Sequence, residues 1–439
     1  MVIITLILLG TFYGLSHQSR VYAASSDDDW PMYHHDVAHT GYSNGTASTT
    51  LPAQLWNYTL ELDPSSMPHS PAVTDGFVYV ISEYNLSCFD ASTGANIWNF
   101  PVVSYAYSAP AVVNGRVYVG SVNGGVYSLD ASSGLQVWNY STGDSFDSSP
   151  TVVNDLVYVE SAYGDIYCLD AASGDRVWNF SIGYTASGSS PAVSDGYVYV
   201  GNNDGNVFCL DAAVGSEIWN FSTGGTVVSP AVAGGYVYVG SADGNAYCLR
   251  ASDGARIWNY TTEYNSNGPS HGYHWGNGVS DPAVAYGKVY VGSSDFLVYC
   301  LDASSGNQIW NYTTEAGVYS SPAVAGGCVL AGSYDGNVYC LNATSGSEIW
   351  SYPAGVLSPV NAAGSAGSPA VAGGVIYVVG KGVIYALATP STSPSFPLID
   401  IALAAVVAVV VAVTVVYATF AKRKRTATAE PSSALSSSP

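Results

Sequence analysis

A unit of about 40 residues recurs eight times along this chain, and the eighth copy is divided between its two ends. One copy reads Ser229-Pro230-Ala231-Val232, then Tyr236-Val237-Tyr238-Val239-Gly240, Tyr247-Cys248-Leu249 and Ile257-Trp258-Asn259-Tyr260. Starts of this kind fall at Pro71, Pro110, Pro150, Pro191, Pro230, Pro282, Pro322 and Pro369. Seven are followed by a Trp end, at Trp98, Trp138, Trp178, Trp219, Trp258, Trp310 and Trp350. The start at Pro369 has no Trp after it, and the remaining end, Trp56, lies before the first start. A last copy completed by the first strand describes a closed ring, which removes the two open sheet edges of a linear array.

Successive Trp ends lie 42, 40, 40, 41, 39, 52 and 40 residues apart, the period of four-stranded propeller blades. No unit carries a helical 3.6-residue period; each has short β-branched and aromatic runs punctuated by Gly. Asp204-Gly205, Asp243-Gly244 and Asp335-Gly336 suit tight hairpins, because these residues tolerate the positive φ such turns require. The expected fold is therefore all-β, an eight-bladed β-propeller over residues 52–388, closed by an N-terminal strand and preceded by a lead-in segment at 25–51. His34, His35 and His39 are expected to pack within that lead-in.

The flanks suggest location. Residues 1–24 read as a signal peptide, with an apolar core at 2–14 and small residues at Val21-Tyr22-Ala23-Ala24, although the basic start is missing. Ile401 to Ala421 carries no charge and is long enough to cross a bilayer; Lys422-Arg423-Lys424-Arg425 follows at once. This predicts a single C-terminal transmembrane helix at 401–421, a cytoplasmic tail at 422–439, and a propeller outside the cell membrane on a Ser/Thr/Pro-rich stalk at 389–400. Between residues 25 and 399 there are 30 Asp/Glu against six Lys/Arg, a formal balance of −24, which excludes nucleic acid as a partner.

Six of the seven cysteines (Cys88, Cys168, Cys209, Cys248, Cys300, Cys340) share one place in the third strand, where Ser128 and Ala386 stand in the other blades. A place that accepts Cys, Ser or Ala is chosen for size, so these are expected to be free, buried thiols, and Cys328 likewise. Counting from that place, Cys168-Leu169-Asp170-Ala171-Ala172-Ser173-Gly174-Asp175-Arg176-Val177-Trp178 resembles the tryptophan-docking motif of quinoprotein propellers, with Asp third, Gly seventh and Trp eleventh. Trp30-Pro31-Met32-Tyr33-His34-His35-Asp36 with His39-Thr40-Gly41 is similar to the lead-in of pyrroloquinoline-quinone-like repeat proteins. The resemblance implies that Trp56, Trp98, Trp138, Trp178, Trp219, Trp258, Trp310 and Trp350 stack on a Gly peptide of an adjacent blade, and that the third-place Asp caps the following turn. Arg250 and Asn342 depart from that Asp.

The family includes quinone-dependent dehydrogenases, bacterial outer-membrane assembly proteins and surface proteins without known chemistry, so fold does not decide activity. The dehydrogenases resemble one another in a vicinal Cys-Cys pair, a Ca²⁺-holding carboxylate and amide set, and often a haem Cys-x-x-Cys-His; this chain has no adjacent cysteines and no such haem motif. No catalytic residue and no cofactor are therefore expected; pyrroloquinoline quinone with Ca²⁺ belongs to the alternative reading. The loop at 261–281 gains about 12 residues over its counterparts and is the candidate binding loop, with His271, Tyr273, His274 and Trp275, joined on the same face by His69. His271, His274 and Asp281 are the candidate metal ligands, a reading that competes with a lid in which Tyr273 and Trp275 cover the channel mouth. Nine glycosylation sequons occur, six of them directly after a blade Trp, at Asn57, Asn139, Asn179, Asn220, Asn259 and Asn311. The expected function is a membrane-anchored binding or scaffold module of the cell envelope, for a protein or glycan partner, with an extracellular quinone- or metal-dependent oxidoreductase as the alternative.

Overall fold

The structure, a computed structural model, describes residues 28–60, 70–82, 84–102, 108–183, 189–263, 278–355 and 367–388. The signal, stalk and transmembrane readings lie outside the described residues; among those described, no helix is long and apolar enough to cross a membrane. Eight sheets are present among the described residues: seven are built on four consecutive antiparallel strands, and the eighth takes one of its four from the start of the ring. Blade 3 is typical: an inner strand Thr151–Val153, a second strand Leu156–Glu160, a third Asp165–Asp170 and an outer strand Arg176–Ser181. The short inner strand forms because Pro150 cannot continue a ladder, and Asn154 and Asp155 then adopt positive φ to reverse the chain.

Blade 8 is divided as the repeat pattern requires. Ala53–Thr59 pairs with Val383–Ala388, and Trp56 stands opposite Ala386 as Trp178 stands opposite Cys168. Every outer strand carries a bulge at the residue before its Trp, so that this aliphatic residue has no partner on the third strand. Apolar residues alternate to pack neighbouring blades face to face, and the core divides into clusters that each join two or more blades.

Trp geometry repeats around the ring. The Trp138 indole Nε1 donates to Ala171 O of the next blade at 3.0 Å, and Trp98, Trp178 and Trp258 do the same to Ala131, Ala212 and Ala303. The ring then lies over the next blade's turn glycine, so close that a Cβ on Gly174 would stand 2.7 Å from Trp138. Asp170 Oδ1 accepts from the amides of Ala172 and Ser173, which shapes that turn, and Asn342 does the same work in blade 7. Where Arg250 replaces the Asp, Asp253 accepts from the Ala255 amide and from Arg250 instead.

Blade 7 has no such turn beyond it, because blade 8 takes its outer strand from the other end of the chain. Trp350 Nε1 donates instead to Ser48 O at 2.8 Å, so the lead-in supplies the missing acceptor. All seven cysteines are buried and free. Burial pushes the thiols of Cys168, Cys209, Cys248 and Cys300 up to about 12, which keeps them neutral fillers. Cys328 differs from the rest, since its sulfur and that of Cys340 both approach Ser48 O, at 3.8 and 3.9 Å.

Candidate functional site

Inner strands of a propeller present their free backbone edge to the central channel, and those amides need partners. The lead-in provides them by making one circuit of the ring. Gly373 N of blade 8 donates to Asp28 O at 3.3 Å, and Trp30 exchanges two 2.7 Å bonds with Val73 of blade 1. Val112, Val193, Val232, Val284 and Val324 then donate in turn to Pro31, Val37, Ala38, Thr40 and Gly41, at 2.6 to 2.8 Å. Tyr42 and Ser43 leave as a short strand parallel to Val324 and Ala325. Blade 3 is reached by a side chain: His39 Nε2 lies 3.0 Å from Thr151 Oγ1, which itself donates to Pro191 O.

The circuit is tightly curled. His34, His35 and His39 all have positive φ, a costly state for residues with a Cβ. Asp36 holds the curl, accepting the amides of Ala38 and Thr40 at 3.0 Å and the Thr40 hydroxyl. Trp30 and Met32 are buried with His34 and His39, so these histidines belong to the packed lead-in as their sequence context indicates.

One carboxylate ties this segment to the wall. Residues preceding the blade prolines form a chain around the channel: Ser149 N donates to Ser190 Oγ, Ser190 N to Ser229 Oγ and Ser229 N to Asp281 Oδ1. Asp281 stands where most other copies have Ser, and its second oxygen accepts from the Tyr33 hydroxyl and from Ser321 Oγ at 2.9 Å. Both oxygens of this candidate metal ligand are therefore engaged by the protein itself. Among the described residues no group of three or more His, Cys, Asp or Glu could hold a metal ion. His271, His274, Tyr273, Trp275 and His69 lie outside the described residues.

Burial, then proximity to Asp281, pushes the Tyr33 hydroxyl well above its usual range. Burial lowers His34, and burial with the neighbouring His34 lowers His39 to about 3. Since Thr151 donates its proton to Pro191 O, His39 donates from Nε2 and is neutral. Below about pH 6.5 the unfolded chain binds a proton that the folded chain refuses, so stability falls as pH drops from 6.5 toward 3. Chemical denaturation at pH 7 and pH 4 should show a loss of roughly 3 kcal/mol from this group. His39→Gln should flatten that part of the profile; an unchanged slope would show that His39 does not titrate this way.

The chemistry of this channel is that of a bolt. Tyr33 and Ser321 both donate to Asp281, and His39 Nε2 pairs with Thr151, while among the described residues His34 Nε2 and His39 Nδ1 are buried without a hydrogen-bond partner. A quinone's carboxylates call for cations, yet the six Lys/Arg of residues 28–388 stand elsewhere. Arg116 and Lys288 begin second strands, Arg176 and Arg256 begin outer strands, Arg250 ends a third strand and Lys381 is in a turn. Arg116 and Lys288 donate to backbone carbonyls of the next blade. Among the described residues, none of these cations joins the Asp281 network, so that network offers pyrroloquinoline quinone's carboxylates no cationic partner. Arg116 also lines the 250 Å³ cavity between blades 2 and 3, with Asn114, Asn154 and Asp155 at the inner-strand turns, away from the Asp281 network.

Eight blades with a Trp seated on each junction and a lead-in bonded to the inner strands define an eight-bladed propeller of the pyrroloquinoline-quinone-like repeat class. The model of the family described as "Outer membrane protein assembly factor BamB" matches residues 50–260 and 265–392, and the chain belongs to that family. A search of curated protein sequences finds no match. Among solved structures, BamB from Moraxella catarrhalis is similar at a TM-score of 0.62 and 19% identity, covering 78% of this chain and 99% of that one. Quinohemoprotein alcohol dehydrogenase from Comamonas testosteroni reaches 0.65 at 16% identity, over 83% and 82%. The computationally designed Ika8 protein reaches 0.63 at 15% identity, over 76% and 98%. BamB, an alcohol dehydrogenase and a designed protein score alike, so these likenesses establish the fold alone.

Proposed function

We propose that this chain is a non-catalytic binding or scaffold propeller of the cell envelope, tethered by residues 401–421 with its ring outside the membrane, and that it engages a protein or glycan through its loops. The observation that carries this reading is the lead-in at the channel: Trp30 to Gly41 is hydrogen-bonded to the inner strands of blade after blade, so these edges are engaged by the chain itself. Membership of the family of an outer-membrane assembly factor supports a role built on protein contacts. The uncharged 401–421 stretch with its basic stop supports the tether.

The test is to titrate the purified full chain in detergent with pyrroloquinoline quinone and Ca²⁺, and to assay dye-linked oxidation of alcohols and sugars. We expect neither saturable quinone binding nor turnover. Both together would replace this reading with the oxidoreductase one. Protease added to intact cells should digest the ring, and a protected ring would overturn the proposed location.

A further inference from the structure

The six sequons that follow a blade Trp have a common setting. Each is Asn, then Tyr or Phe, then Ser or Thr, on an outer strand. Alternation turns the middle aromatic toward the next blade and leaves the Asn and the hydroxyl residue on the other face, both exposed in all six copies. Directly across the ladder from the Asn stands an aromatic ring: Tyr385 for Asn57, Tyr127 for Asn139, Tyr167 for Asn179, Phe208 for Asn220, Tyr247 for Asn259 and Tyr299 for Asn311. The Asn220 amide donates to Glu217 Oε1 at 2.6 Å and the Asn259 amide to Asn245 Oδ1 at 3.3 Å, both on the exposed face. Blade 1 departs in both respects: Asn99 faces Ser87, and Pro101 stands where the sequon needs a hydroxyl.

Three other sequons lack this setting, Asn44 because it stands in the lead-in and not on a blade. Asn342 uses its side-chain oxygen to cap the amides of Thr344 and Ser345, and Asn85 relies on Ser87, which is buried.

The same strands have something to cover. They are sheet edges with unpaired backbone groups, and the bulged residue two places before each Asn is aliphatic: Leu55, Val137, Val177, Ile218, Ile257 and Ile309 are 38% to 50% exposed. Neither Pro nor Lys guards these six strands, the usual devices against edge-to-edge pairing.

We propose that Asn57, Asn139, Asn179, Asn220, Asn259 and Asn311 carry N-linked glycans that stand over the ring's outer edge strands as a belt, and that Asn342 and Asn85 do not. The proposal rests on the reading that the ring lies outside the membrane. The donor is a polyprenyl-phosphate- or pyrophosphate-linked oligosaccharide, supplied by a membrane glycosyltransferase. The Asn Nδ2 forms a bond to sugar C1, the C1–O bond to phosphate breaks, one amide proton is lost and the polyprenyl phosphate or pyrophosphate leaves.

The experiment is glycopeptide mass mapping of the full chain purified from the membranes of its own cells, alongside protease treatment of those cells intact. We expect sugar on the six outer-strand peptides and none on those of Asn342 and Asn85. Bare peptides from a ring that external protease digests overturn this inference and leave the location intact. A ring protected from protease overturns both. Equal occupancy at Asn342 overturns the selection by strand geometry. Replacing the six hydroxyl residues (Thr59→Ala, Ser141→Ala, Ser181→Ala, Ser222→Ala, Thr261→Ala, Thr313→Ala) removes the glycans while keeping every Asn. That variant should self-associate in light scattering; a variant that stays as monomeric as the parent overturns the shielding role.

Discussion

Asp281→Ala should loosen the N-terminal segment from the channel and lower the stability of the ring by about 3 kcal/mol, the loss of several hydrogen bonds to one ionised group. The Tyr33 hydroxyl, the Ser321 hydroxyl and the Ser229 amide all lose their acceptor together. Denaturant unfolding would measure the loss, and limited proteolysis near Tyr33 would show the release. Asp281→Ser is the informative companion, because Ser is the residue that Ser190 and Ser229 show to be sufficient for the amide of the preceding copy. It should keep the Ser229 bond and recover part of the stability while leaving Tyr33 unheld. Equal stability of both variants and the parent would show that the carboxylate does not fasten the segment.

Gly174→Ala should cost about 3 kcal/mol, and Gly196→Ala only about 1 kcal/mol, although both glycines have nearly the same backbone. Their φ values are +79° and +83°, so the left-handed penalty of a Cβ is common to both. At Gly196 the new carbon meets nothing within 4 Å, whereas at Gly174 it stands 2.7 Å from the Trp138 ring. Trp138 would have to lift and give up its bond to Ala171 O. Comparing denaturation midpoints of the two variants isolates the contact between blades, and equal losses would show that the Trp seat adds nothing.

The blades were legible because each is a local sentence. Its strands, its turn residues and its Trp lie within one repeat, and eight copies expose the pattern; even the divided blade could be read, since an unmatched Trp56 and an unmatched Pro369 answer each other. The small-residue reading of the third-strand cysteines followed from the same comparison of copies. The channel was not legible in this way. Trp30 to Gly41 occurs once, and its partners at Val73, Val112, Val193, Val232, Val284 and Val324 are identical in type to residues that any blade would have. The family likeness of the segment indicated that it packs, without indicating where. One signal was available: Asp281 breaks the run of Ser before Pro at Ser149, Ser190, Ser229 and Ser321, and a carboxylate in a place made for a hydroxyl announces an extra donor. The role of Ser48 and the meeting of Cys328 with Cys340 depend on the missing turn of blade 8, which no single repeat displays.

The divided blade also decides how the ring bears load. Val383–Ala388, the last described strand, is an interior strand, laddered on one side to Val375–Gly380 and on the other to Ala53–Thr59. Tension applied to the chain beyond Ala388 would run along that strand and load both ladders in shear, so that many hydrogen bonds must yield at once. Had the outer strand been the final one, the same pull would have peeled an edge open bond by bond, as a zip. By lending its first strand to its last blade, the chain buries its own point of traction between two rows of bonds.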